Sequence, residues 1–213
     1  LRPGAALLGA AAGAALIAAP HRAEAADGLY GRFDGDLELR AEAGAAFAEG
    51  GPALAAGVAA LYLSTVGVYV HYTDALGSGA PRVVRSIATG LHVAPLFLGR
   101  LARDAEHGPA HLDLFLDSFA FEVGTFWDQP RGASLATRPG LELALGVAFP
   151  ILPSATGPFV GLRAALRWRD ADLTGGRGGG GDVADRGALL SLTLGWHHVV
   201  RTHLVDAGDR VPP

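Results

Sequence analysis

The chain has 213 residues and a mass of 21.7 kDa, the size of one domain or at most two small ones. Half of its residues are apolar, only 18% are charged and 31 are glycine, which excludes a disordered tail and a charge-rich soluble chain of ordinary type. There is no cysteine, all 17 basic residues are arginine, and the formal charge is -4. Disulfides and thiol chemistry are therefore excluded, and no basic cluster points to nucleic acid.

Residues 1–25 read as an export signal: Arg2, then an Ala/Leu/Ile/Gly run to Ala19, then an A-x-A cleavage site at Ala23-Glu24-Ala25. The apolar run is shorter than the ~20 residues that span a bilayer. From residue 29 the hydrophobic period becomes 2, the period of strands. In the first strand Phe33, Leu37, Leu39, Ala41, Ala43, Ala45 and Phe47 share one face. Arg32, Asp34, Asp36, Glu38, Arg40 and Glu42 share the other.

The alternation returns after each Gly/Pro signal. Leu54 to Tyr62 mark a second strand and Val66 to Tyr72 a third, with Tyr69, His71 and Thr73 on the opposite face. Ile87, Leu91 and Val93 oppose His92 on a fourth. A short helix is expected at 96–106, with Leu98, Leu101, Ala102 and Ala105 on its apolar face. A fifth strand is expected over 111–127, where Leu112, Leu114 and Leu116 give way to Phe119, Phe121 and Val123; the slip near Asp117-Ser118 reads as a β-bulge. Leu141 to Phe149, Val160 to Trp168 and Leu190 to Trp196 complete eight strands. Short turns near Ser64 and at Pro153–Gly157 alternate with longer loops around 74–82, 128–139 and 169–187, the last holding a glycine run at 175–181.

Alternation alone fits a membrane barrel and a soluble barrel with an oily inside. Small residues decide between them. Opposite the large apolar side chains stand Ala55, Gly57 and Ala59, and Ala144, Gly146 and Ala148, where a soluble exterior carries charge. A narrow lumen needs small residues there so that Arg and Glu from other strands fit. Phe47, Tyr72, Trp127 and Trp168 fall on the apolar face at one set of strand ends, and Tyr62, Phe149 and Trp196 at the other. Two such rings are the aromatic girdles of a lipid-embedded barrel.

The export signal, the strand ladder and the closing Leu190–Trp196 run resemble the small OmpA/OmpX-type outer-membrane barrels; the likeness covers 29–198 and includes no family-specific motif. It implies an all-β, antiparallel up-and-down transmembrane barrel of about eight strands over 26–198, followed by a tail at 199–213. It also implies a monomer embedded in outer-membrane lipid. The terminal run is similar to the signal read by the barrel-assembly machinery, the partner expected during biogenesis.

Lumen charges are the first candidate site: Arg32, Asp34, Asp36, Glu38, Arg40, Glu42, Glu142, Arg163 and Arg167. A selective ion path is the functional reading, but an eight-stranded lumen is just filled by side chains, and buried charges must pair. A packed structural salt-bridge network is expected. His71 and His92 point inward on one hairpin; a structural metal site normally has four ligands, so a hydrogen-bonded lumen pair is expected and no metal or cofactor. Ser118 beside Asp117 raises a lipid-modifying enzyme, yet no His is placed on the same rim within hydrogen-bond reach of the nucleophile, so no catalytic centre is expected. The expected role is structural or adhesive through the outer loops, or in envelope assembly. A lipid-modifying barrel enzyme, a small pore and a soluble periplasmic lipid-binding barrel are the alternatives.

Overall fold

In the computed structural model, residues 30–48, 50–76, 82–103, 105, 108–169 and 186–202 are described. The expected export signal at 1–25, the glycine run at 175–181 and most of the tail at 199–213 lie outside them. Eight antiparallel strands run β1 Leu37–Ala48, β2 Gly51–Tyr62, β3 Val66–Ala75, β4 Val83–Val93, β5 Ala120–Pro130, β6 Gly140–Pro150, β7 Gly157–Trp168 and β8 Arg186–Val200. Each pairs with the next, and β8 returns to pair with β1, from Leu37↔Val200 to Ala48↔Leu189. Closure gives each strand a neighbour on both sides, so none of the eight is an edge strand. β8 continues to Val200, past the boundary expected at 198.

The period-2 pattern separates two environments across one wall. Leu145, Leu194, Val58 and Val68 face outward and are 56–64% exposed. Glu142, Arg163, Glu122 and His92, on the inward face, are all buried. That is the reverse of a water-soluble barrel, where the larger apolar side chains would fill the inside. Glycines make room for the bulk within. A Cβ on Gly195 would fall 2.4 Å from the Phe159 ring, and one on Gly140 2.4 Å from the Phe126 ring. Both aromatic rings lie inside the barrel and are 1% exposed.

The strand ends define two rims. The rim that carries the 63–65 and 151–156 turns and both ends of the barrel is termed inner; the opposite rim is outer. The connection between β4 and β5 lies at the inner rim and holds two helices, α1 Pro95–Leu101 and α2 Ala110–Asp117. α1 overlaps the helix expected at 96–106 but begins at Pro95 and ends at Leu101, and its buried residue is Phe97, while Leu98 is 46% exposed.

Two expectations need correction. The fifth strand does not begin at 111: the residues read as its first half form α2, and the change of phase at Asp117-Ser118 is a helix-to-strand junction instead of a bulge. The first strand does not begin at 33 either. Arg32–Asp34 form a single 3-10 turn, preceded by Gly31 at φ 85°. That turn puts Arg32, Asp34 and Asp36 ahead of β1 and sets Arg32 at the inner rim, where it lines one pocket with Glu38, Arg40 and Asp117.

Candidate functional site: the charged lumen and its inner plug

Glu38, Arg40 and Glu42 on β1, Glu142 on β6, and Arg163 and Arg167 on β7 all face the lumen. Pairing of β6 with β7 sets Glu142 beside Arg167 in register. Arg163 Nη2 lies 2.5 Å from Glu142 Oε1, and Arg167 Nε 2.5 Å from Glu142 Oε2. The Tyr69 hydroxyl donates to Glu142 at 3.2 Å. Glu142 is fully buried, and charge-assisted hydrogen bonds at this length offset the desolvation of a carboxylate.

Glu122 on β5 is the member that the sequence analysis did not single out. Its Oε2 lies 2.6 Å from Arg163 Nε, and its Oε1 lies 2.9 Å from His92 Nδ1. His71 reaches it from the third side, with Nε2 3.6 Å from Oε2. The two lumen histidines thus meet through one carboxylate. Among the described residues no group of three or more His, Cys, Asp or Glu side chains is arranged to hold a metal ion.

The network continues toward both rims. Arg167 also donates to Ser86 at 3.0 Å, and Arg169 Nη2 pairs with Asp128 at 2.6 Å near the outer rim. Toward the inner rim Arg40 lies 3.3 Å from Glu38, and His197 Nδ1 3.7 Å from Glu38 Oε1. Aromatic rings are wedged between the charges. The Arg167 guanidinium sits 4.8 Å from the centre of the Phe126 ring, and Arg163 5.6 Å from that of Tyr69, distances at which the ring face attracts a cation.

Little open space is left. A cup of about 340 Å³ at the outer rim is lined by Thr73, Arg82, Arg85, Ser86, Asp128 and Arg169. Beneath it the space shrinks to a pocket of about 30 Å³ between Arg40, His71, His92, Glu122 and Arg163, and one of about 40 Å³ near Glu38 and Asp117. Volumes of that size hold only a few water molecules.

The inner rim is closed by a second charge cluster. Arg32, displaced from the first strand, is buried; it pairs with Asp117 and lies 4.4 Å over the Phe97 ring. Arg100 Nη1 lies 2.8 Å from Asp117 Oδ1, and its Nη2 pairs with Asp113. Asp113 also accepts from the Tyr30 hydroxyl at 2.8 Å and from the Gly108 N–H at 2.9 Å. Burial opposes its ionisation, but the hydrogen bonds from Arg100 and Tyr30 and the Arg100 charge outweigh it and hold the carboxyl below the usual carboxylate range. Asp36 accepts from the Thr202 backbone and hydroxyl beside this plug, while Asp34 stays exposed.

Ser118 is held by the backbone. Its hydroxyl donates to carbonyl oxygens, with Ala148 O at 2.9 Å, and accepts from the Ala148 N–H at 2.8 Å. The aromatic residues fall at the strand ends. Phe47, Tyr72, Trp127 and Trp168 lie at the outer ends of β1, β3, β5 and β7, and Tyr62, Phe149 and Trp196 toward the inner ends of β2, β6 and β8. All seven lie on the outward face.

A closed, eight-stranded, antiparallel up-and-down barrel with charges inside and apolar side chains outside has the architecture of the small OmpA/OmpX-type barrels. No protein-family description matches the sequence, and no curated protein matches it. Among solved structures the chain is similar to Ail, the attachment invasion locus protein of Yersinia pestis, in complex with the heparin analogue sucrose octasulfate. The identity is 8%, 76% of this chain and 96% of that chain are covered, and the TM-score is 0.33.

Proposed function

We propose that the chain is a bacterial outer-membrane barrel with a side-chain-filled lumen, acting as a structural or adhesive element, or in envelope assembly, through its outer loops. The carrying observation is the wall itself: every strand turns large apolar side chains outward, and the charges of β1, β5, β6 and β7 turn inward and pair. Exposed to water, an outward belt that includes Leu145, Leu194, Val58 and Val68 forms an apolar surface far beyond that of an ordinary soluble monomer. Surrounded by acyl chains, the same belt is solvated, and the seven aromatic residues at its edges sit where amphipathic rings favour the interface. Outer-membrane lipid is the partner this surface fits, the chain works as a monomer, and the barrel-assembly machinery inserts it.

The lumen network is structural in this reading. Pockets of about 30 and 40 Å³ below the outer cup leave no wide aqueous path, and the charges that would select an ion are paired with one another. In this reading Ser118 is not a nucleophile: its hydroxyl is engaged on both its donor and acceptor sides by backbone. Function then rests with the surface that the outer loops present.

Density-gradient separation of envelopes, combined with cysteine labelling of intact cells, tests the proposal. The chain lacks cysteine, so Gly132→Cys in the β5–β6 turn supplies a single thiol. Recovery in the outer-membrane fraction, with Gly132→Cys labelled by a membrane-impermeant maleimide, is the expected result. Recovery in the soluble periplasm without detergent refutes it.

A further inference from the structure

The inner-rim helix α2 has an unusual distribution of charge. Its only charged residues are Asp113 and Asp117, and both turn into the plug, where they are 1% and 3% exposed. A helix lying on a water-washed surface keeps its acids on the outer face. Here the outer face carries Leu112, 50% exposed, and Phe115.

That face continues the outward wall of the barrel. The Phe115 ring lies 4.5 Å from the ring of Phe149, at the inner end of β6, and 5.3 Å from that of Phe119. Ile151 and Leu152, in the turn that follows β6, are 49% and 46% exposed, and His111 at the start of α2 reaches the Ile151 carbonyl at 3.4 Å. The apolar strip thus runs without a break from the lipid-facing belt, around the rim and onto the helix. A turn in water would ordinarily be polar.

We propose that α2 and the β6–β7 turn form an interfacial foot, bound to the lipid surface of the inner leaflet through Leu112, Phe115, Phe119, Ile151 and Leu152. The proposal rests on the membrane reading above and extends it. Continuity with the lipid-facing wall identifies the occupant as lipid, and the inward aspartates remove the charge that would oppose its approach. The foot gives the plug a second attachment: its inner side is held by Arg32 and Arg100, its outer side by the membrane.

Single nitroxide labels test this in vesicles of phosphatidylethanolamine and phosphatidylglycerol. Leu112→Cys and Leu152→Cys are labelled separately in the full chain, with Leu145→Cys on the β6 wall as the reference for the barrel. Collision with oxygen, which partitions into lipid, is compared with collision with a water-soluble nickel chelate. Oxygen dominating at all three sites is the expected result. Nickel dominating at Leu112→Cys and Leu152→Cys while oxygen dominates at Leu145→Cys overturns the foot and leaves the barrel standing. Nickel dominating at all three overturns the membrane reading beneath it. Labels at 112 and 152 that neither reagent reaches would show a protein contact, such as a second copy, and also overturn the proposal. Both variants change exposed side chains; should one fail to assemble, the other carries the test.

Discussion

Arg163→Ala is the sharpest perturbation of the lumen. The guanidinium joins two carboxylates, 2.6 Å from Glu122 and 2.5 Å from Glu142, and all three side chains are buried. Removing one partner of a buried pair typically costs ~3–5 kcal/mol, because the charge left behind keeps its desolvation penalty. Against a total stability of about 5–15 kcal/mol, that is a large fraction. The two carboxylates are not stranded equally. Glu142 retains Arg167 at 2.5 Å, whereas Glu122 retains, among the described residues, the imidazoles of His71 and His92. Arg163→Ala with Glu122→Gln should therefore recover more of the loss than Arg163→Ala with Glu142→Gln, since Glu142→Gln also deprives Arg167. Urea unfolding in detergent micelles, followed by tryptophan emission, supplies the cycle. Coupling between residues in one network is ~0.5–3 kcal/mol. Strict additivity in both cycles, or a loss below ~0.5 kcal/mol for Arg163→Ala, would refute the paired lumen.

Leu145→Arg, at the middle of the outward face of β6, should destabilise the barrel by ~2–4 kcal/mol, the cost of Arg on a lipid face at midplane, and inward Ala144→Ser should be tolerated. Equal effects in the same unfolding assay would mean that the faces are reversed. At the plug, Asp113 is stabilised as its anion by Arg100 and Tyr30, so its folded pKa lies below the ordinary value. Its contribution is present above about pH 4 and is lost as pH falls through the lower folded value. The gap in unfolding midpoint between the unaltered chain and Asp113→Asn should accordingly be full at pH 7 and close below pH 4; a gap that widens on acidification would contradict this sign. In a planar bilayer the purified chain should pass no steady current, and a stable ion-selective conductance would replace the filled lumen with a pore.

The strand ladder was legible because most strands carry their large apolar side chains on one face and small or charged residues on the other, so the period-2 pattern reads without knowledge of partners. The same rule misread both ends of the inner rim. In α2, Leu112, Leu114 and Leu116 stand two apart and mimic a strand, but Asp113 and Asp117 stand four apart, the spacing that puts both on one helical face. That spacing was the available signal. At the start of β1 the charge alternation runs back through Arg32, yet Asp34-Gly35 is a turn signal, and the chain bends there to carry Arg32 under the barrel. Glu122 faces inward by the phase of Phe121 and Val123. Its meeting with Arg163, two strands away, depends on registers from β5 to β7 that no local pattern encodes.

The central claim is that the outward wall meets acyl chains, and the native tryptophans report on it without any substitution. The chain has three, Trp127, Trp168 and Trp196, and all lie on the outward face. In vesicles of phosphatidylcholine with brominated chains, their emission should be blue-shifted and strongly quenched relative to unbrominated vesicles, and iodide in the buffer should have little effect. Emission that is red-shifted, quenched by iodide and indifferent to bromine would contradict a lipid-embedded barrel.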